Sequence, residues 1–169
     1  GLIAGSVEVF QDDRTDILVS GGERSVPGYF GGTPPTVNLG RVRATGYELE
    51  LRVNKQFRNS LRLWGNFNMT HAENVILKKD DPELLPNYQK QAGYAIGQYR
   101  SHIDAGFLNT WDEVYGSPAH ETNDAQRLPG DYYIVDFDGN GVIDSKDSAP
   151  YGFTGTPENT YNATIGVEY

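Results

Sequence analysis

The densest run of potential ligands in the chain is Asp136-Phe137-Asp138-Gly139-Asn140-Gly141-Val142-Ile143-Asp144-Ser145-Lys146-Asp147. An EF-type calcium loop draws oxygen ligands from positions 1, 3, 5, 7, 9 and 12, with glycine at position 6 for a sharp turn. Those positions here are Asp136, Asp138, Asn140, the Val142 carbonyl, Asp144 and Asp147, and Gly141 is sixth. Four carboxylates in twelve residues repel one another, and a hard divalent cation with several oxygen ligands relieves that repulsion. Calcium suits the set better than magnesium, which wants fewer protein ligands. Asp147 stands where glutamate is usual, so its shorter side chain requires the backbone to come closer to the ion. Ile143, at position 8, is placed to plug the loop onto an apolar neighbour. An acidic surface turn with the same pattern is the alternative reading.

The stretch after the loop, SAPYGFTGTPEN, holds Pro150, Gly152, Gly155 and Pro157 and cannot continue as a helix. A calcium sensor needs a helix on each flank in order to open. The expected role of Ca2+ is therefore structural, as a clip within a longer excursion of the chain.

Other constellations are weaker. His71, His102 and His120 are too far apart for a recognisable metal motif. Glu48 and Glu50 form a carboxylate pair, but Arg52 beside them makes a charged wall the better reading than a glycosidase dyad. There is no G-x-S-x-G, P-loop or dinucleotide fingerprint, so no catalytic residue is nominated and the chain is not expected to be an enzyme. The segment 72–159 is rich in aromatics, among them Tyr99, Phe107, Trp111, Tyr115, Tyr132, Tyr133, Tyr151 and Phe153. Stacking on sugar rings is one use for them; filling a small core or an aromatic girdle is the commoner one.

The elements that must carry the loop are strands. Tyr47, Leu49, Leu51 and Val53 alternate with Glu48, Glu50, Arg52 and Asn54, and Leu61, Leu63, Phe67 and Met69 alternate with mostly polar neighbours. The short polar link 55–60 between these runs predicts a hairpin. Tyr161, Ala163, Ile165, Val167 and Tyr169 repeat the pattern at the C-terminal end, and Ile3, Val7 and Val9 do so less cleanly at the other. The expected fold is all-β and antiparallel, with about four barrel-type strands near 1–11, 43–54, 61–71 and 160–169. Two long loops, 12–42 and 72–159, join them. Loops beyond about 12–15 structureless residues are uncommon, so these must be functional or partly structured.

Bulk composition narrows the class. The chain has 169 residues, with Asp plus Glu 23 against Lys plus Arg 14, a net charge of −9. That excludes the basic footprint of a nucleic-acid binder. No polybasic membrane-surface segment is present. The absence of cysteine removes disulfides and thiolate chemistry. No run of roughly 20 apolar residues exists for a membrane helix. A membrane β-strand needs only about 9–11 residues, apolar at every second position. Starting at Gly1 without a signal peptide and stopping inside a strand-like run, the sequence reads as a piece of something longer.

Four segments stand in order along the chain: VNLGRVRATGYELEL (37–51), LWGNFNMTHAENVI (63–76), GYAIGQYRSHIDAGFLNTWDEV (93–114) and LPGDYYIVDFDGNGVIDSKDSAPYG (128–152). Together they resemble the C-terminal barrel region of SusC/RagA-like TonB-dependent outer-membrane transporters. Ala44 and Thr45, Ser101-His102 and Ala105 depart from the family pattern. The resemblance implies part of a large transmembrane β-barrel in the outer membrane of a Gram-negative bacterium, with both long loops extracellular. It implies energised import through TonB of an oligosaccharide or peptide, alongside a SusD-like lipoprotein and surrounded by outer-membrane lipid. The rival reading is a secreted calcium-binding β-module for adhesion or glycan binding.

Overall fold

The computed structural model describes residues 2–27, 29, 31–58 and 60–169, and it is all-β. The strands are β1 (Ile3–Val19), β2 (Val37–Gln56), β3 (Arg62–Lys78), β4 (Gln98–Ser101), β5 (Asp104–Phe107), β6 (Ala119–His120), β7 (Tyr132–Ile134), β8 (Val142–Ile143), β9 (Ala149–Thr154) and β10 (Asn159–Glu168). One short helix, α1 (Trp111–Gly116), joins them. The chain divides into two units. The first comprises 1–81, 91–96 and 156–169, and the second comprises 82–90 and 97–155.

The first unit is a four-stranded antiparallel sheet in the order β1-β2-β3-β10. Directly opposed residues share a face, so the register sorts the side chains into rows. One face carries the rows Val9/Tyr47/His71, Val7/Leu49/Met69/Tyr161, Gly5/Leu51/Phe67/Ala163, Ile3/Val53/Gly65/Ile165 and Lys55/Leu63/Val167. The other carries Glu8/Glu48/Thr70/Thr160, Ser6/Glu50/Asn68/Asn162 and Ala4/Arg52/Asn66/Thr164. Each row of the first face is thus apolar across several strands, while the second is mostly charged or hydrogen-bonding, with Phe10 and Trp64 as its aromatic exceptions.

This apolar band covers the eight-residue step from Tyr47 to Lys55, roughly 27 Å along a strand. Beyond Tyr47 the same face turns polar. Gln11, Thr45 and Glu73 make the next row, and Arg43 then ion-pairs with Asp13 at 2.6 Å. Aromatic side chains sit towards both limits, with Tyr47 stacked on His71 at 5.0 Å at one and Phe57 and Tyr169 at the other. Across the band the side chains are open. Val7 is 68% exposed and Ile165 85%. Among the described residues of this sheet, Val19 is the sole buried apolar side chain. A large aliphatic side chain left in water forgoes roughly 1.5–3 kcal/mol.

The strands run further than hydrophobic alternation indicates. β1 continues from Phe10 through Gln11-Asp-Asp-Arg14 to Val19, and β2 starts at Val37. Ladder hydrogen bonds belong to the backbone, so pairing persists where both faces are polar. Between Arg14 and Ile17 the register shifts, with Asp16 at φ 57, as in a β-bulge. The connecting segments shorten accordingly, to 20–36 and 79–158. The first is pinned to the end of β3: Asp80 accepts from Arg24 Nε at 2.7 Å and from Ser25 N at 3.1 Å.

Two glycines let aromatic rings lie across neighbouring strands. Trp64 covers Gly166, and Phe10 covers Gly46, where an added Cβ would also collide with the His71 carbonyl oxygen. Rings shielding glycine in this way help fix strand register. Gly46→Ala is therefore expected to destabilise the sheet by roughly 1–3 kcal/mol, because a backbone oxygen is less able to yield than a side chain. Denaturant titration of the refolded chain in detergent, followed by tryptophan fluorescence, measures it.

Candidate metal centre

The second unit has its own small core of Leu108, Val114, Ile143 and Ala149, each at most 5% exposed, and a fully buried carboxylate, Asp147. Three two-stranded pairings build it: β4 with β9, β5 with β7, and β6 in parallel with β8. The 136–147 loop leaves β7, pairs through β8 and ends in a 3-10 turn, Ser145–Asp147. A strand, β9, follows where an EF-hand would continue as a helix. Pro150 and Gly152 lie inside it.

The loop folds inward on its own amides. Asp136 accepts from Gly139 N and Gly141 N, both at 2.7 Å, and Asp138 accepts from Asn140 N at 3.1 Å. Asn140 accepts from Val142 N at 2.7 Å. Gly139 at φ 73 and Gly141 at φ 84 occupy left-handed backbone that costs other residues roughly 1–2 kcal/mol. Asp147 closes the circle. Its Oδ1 accepts from Phe137 N at 2.8 Å and its Oδ2 from Asp144 N at 2.9 Å, which ties position 12 back to position 2.

Of the six ligand positions expected from the sequence, three converge. Carboxylate oxygens of Asp136, Asp138 and Asp147 all lie within 4.8 Å of one another. Asn140 borders this group, donating to Asp138 Oδ2 at 3.0 Å. Ala119 N and Glu121 N bind the carbonyls of Gly141 and Ile143, so strand alternation turns the intervening Val142 carbonyl away from β6. Asp144 is turned elsewhere, accepting from Lys146 N at 2.6 Å and lying 3.6 Å from its ammonium. Ile143 is buried, and its strand is held by β6.

Other residues that hold the loop lie far from it in sequence. His102 Nε2 bonds the Asp144 carbonyl at 2.8 Å, Gln89 donates to the Lys146 carbonyl at 2.8 Å, and Tyr88 packs on Phe137 with centroids 5.2 Å apart. Arg100 in turn donates to the carbonyls of Tyr88 and Lys90. None of these has a local signature. Helix α1 does have one: Thr110 caps it by accepting from Glu113 N at 3.2 Å, the S/T-x-x-E pattern of a helix start.

Chemically, three convergent carboxylates with the Asn140 amide beside them make a hard, oxygen-rich donor set. Asp147 strengthens the fit, since a fully buried carboxylate beside two others is costly without a counter-charge.

No protein-family profile and no curated protein matches this sequence. Among solved structures the chain is similar to the RagAB peptide transporter, with a TM-score of 0.61 and 14% identity over 99% of this chain and 17% of that one. It is also similar to the RagAB peptide importer in its closed-closed state, with a TM-score of 0.57 and 14% identity, covering 99% and 18%. The likeness is one of fold: strands and excursions of this kind form part of an importer chain there. This chain spans less than a fifth of the length of those chains.

Two outcomes are expected from the loop geometry. Gly141→Ala should destabilise the second unit by roughly 1–2 kcal/mol through backbone strain alone, since an added Cβ there meets no atom; thermal unfolding measures it. The Gly141 amide holds the Asp136 carboxyl below its ordinary value of 3.8. A lowered folded pKa means this contribution is complete above 3.8 and is lost as pH falls through the lowered value. The Gly139 and Gly141 amide resonances should titrate with a midpoint under 3.8, and Asp136→Asn should abolish that titration.

Proposed function

We propose that this chain is a length of barrel wall, with one large insertion, from a TonB-dependent outer-membrane importer of the SusC/RagA-like kind. The observation that carries the reading is the two-faced sheet. A coreless four-stranded sheet with an apolar band of membrane-spanning length on one side and Glu, Asn and Thr rows on the other suits a wall between lipid and a wet lumen. The fold likeness to chains of a peptide importer supports it. In this reading the 57–61 turn is periplasmic and the 20–36 and 79–158 segments are extracellular. The cargo is a large nutrient, an oligosaccharide or a peptide, and the peptide gains weight from what those neighbours carry. A SusD-like lipoprotein partners the complete protein, and TonB energises it.

Calcium enters this proposal as a structural ion on Asp136, Asp138, Asn140, the Val142 carbonyl and Asp147, with Asp144 reaching it through water. It would offset the carboxylate repulsion and stiffen the insertion. A secreted adhesion module would leave the whole apolar face in water, and nothing among the described residues of the first unit covers it.

The wall is tested in the complete protein reconstituted in bilayers containing brominated lipid. Single tryptophans at Leu51 and Ile165 should be strongly quenched, and those at Asn68 and Asn162 should not. Equal quenching on the two faces sinks the wall reading. For the ion, calorimetric titration should show one Ca2+ per chain, with Asp147→Asn and Asp138→Asn each weakening binding at least tenfold. Unchanged affinity in both variants would remove calcium from the account.

A further inference from the structure

The second unit is far more acidic than the sheet. Residues 82–90 and 97–155 contain eleven Asp and Glu against four Lys and Arg, so most of the chain's net charge of −9 resides there. On the same unit a groove of about 410 Å3 opens between β5, β7 and α1. Phe107, Tyr133, Glu113 and Asn109 line it, and no basic residue does. Phe107 is 59% exposed although its ring already stacks on Tyr132 at 5.0 Å. A further exposed stack, Trp111 on Tyr115 at 5.9 Å, rides on α1 beside Asp112.

The groove's one carboxylate is half committed. Glu113 Oε2 accepts from Asn109 N, while Oε1 has no hydrogen-bond partner among the described residues. Arg127 donates to the Ser117 hydroxyl at the groove's edge, but Asp124 matches that charge at 3.0 Å. Aromatic faces attract cations through the ring quadrupole, most strongly when desolvated, and a carboxylate alongside adds a direct charge pair. Electrostatic complementarity of this kind sets partner choice and capture rate.

We propose that the Phe107–Tyr133–Glu113 groove captures cationic side chains, arginine or lysine, of basic peptides. This names the charge class of the cargo and rests on the import reading for its biological purpose; the binding event itself does not require the barrel. The surrounding acidic surface draws the peptide in, and the groove seats one guanidinium or ammonium between ring and carboxylate.

The test is fluorescence anisotropy on the full chain in detergent, using three labelled decapeptides that are arginine-rich, aspartate-rich and glycine/serine-only. The arginine-rich peptide should bind at least tenfold tighter than the neutral one, and the acidic one weakest. E113Q, which keeps the shape and can still accept from Asn109, should cost roughly five- to tenfold, and F107L about threefold, with circular dichroism unchanged. E83Q, the same charge loss outside the groove lining, should be nearly silent. Equal binding of all three peptides overturns the proposal, as does an E83Q effect matching that of E113Q. Displacement of the basic peptide by a neutral oligosaccharide, or full affinity in both F107L and Y133L, does so too. Failure here leaves the lipid-quenching result standing, and failure of that result leaves this one measurable.

Discussion

Everything in the sheet follows from one constraint: its backbone is satisfied by neighbouring strands, while its two faces are built for different surroundings. Long ladders between β1, β2, β3 and β10 pair main-chain donors and acceptors without any help from side chains. The side chains are then free to divide by medium, mostly aliphatic on one side and mostly acidic, amide and hydroxyl on the other, where Phe10 and Trp64 cover glycines. Such a sheet gains little from folding on itself. Its apolar rows become stabilising when something other than water lies against them.

The second unit solves a different problem. It has few buried apolar residues, and short strands two to six residues long supply its regular structure. What it has instead is a polar closure. Asp147 joins the two ends of a twelve-residue loop through backbone amides, β8 leans on β6, and His102 and Gln89 hold the loop's last carbonyls. The three carboxylates that converge in the loop and others spread over the surface make the same segment strongly acidic.

Legibility in the sequence differed between the units for physical reasons. The Tyr47–Val53 and Tyr161–Tyr169 runs announced their faces because a side chain on a strand has only two directions to choose from. The outer halves of β1 and β2 were hidden, since Gln11-Asp-Asp-Arg14 is polar on both sides and pairs through backbone alone. In the loop, the spacing of Asp136, Asp138 and Asp147 anticipated that their carboxylates would meet. Asp144 was not readable as a cap, because capping Lys146 N competes with ligation and only coordinates decide between them. His102, Gln89 and Tyr88 reach the loop across long stretches of chain and leave no local trace. The start of α1 at Thr110 did leave one, in a helix too short for periodicity to register.

The pairing of β3 with β10 closes across residues 79–158, whereas β2 and β3 meet across a few. Joining distant segments carries an entropic cost that grows with the free chain between them, and structure formed within that chain lessens it. The β2–β3 hairpin therefore carries the smaller closure cost, and the β3–β10 pairing is the one that structure within the excursion makes cheaper. The Asp147 closure of the 136–147 loop thus has a reach beyond its own unit: by shortening the free chain between β3 and β10 it lowers the cost of seating the last strand.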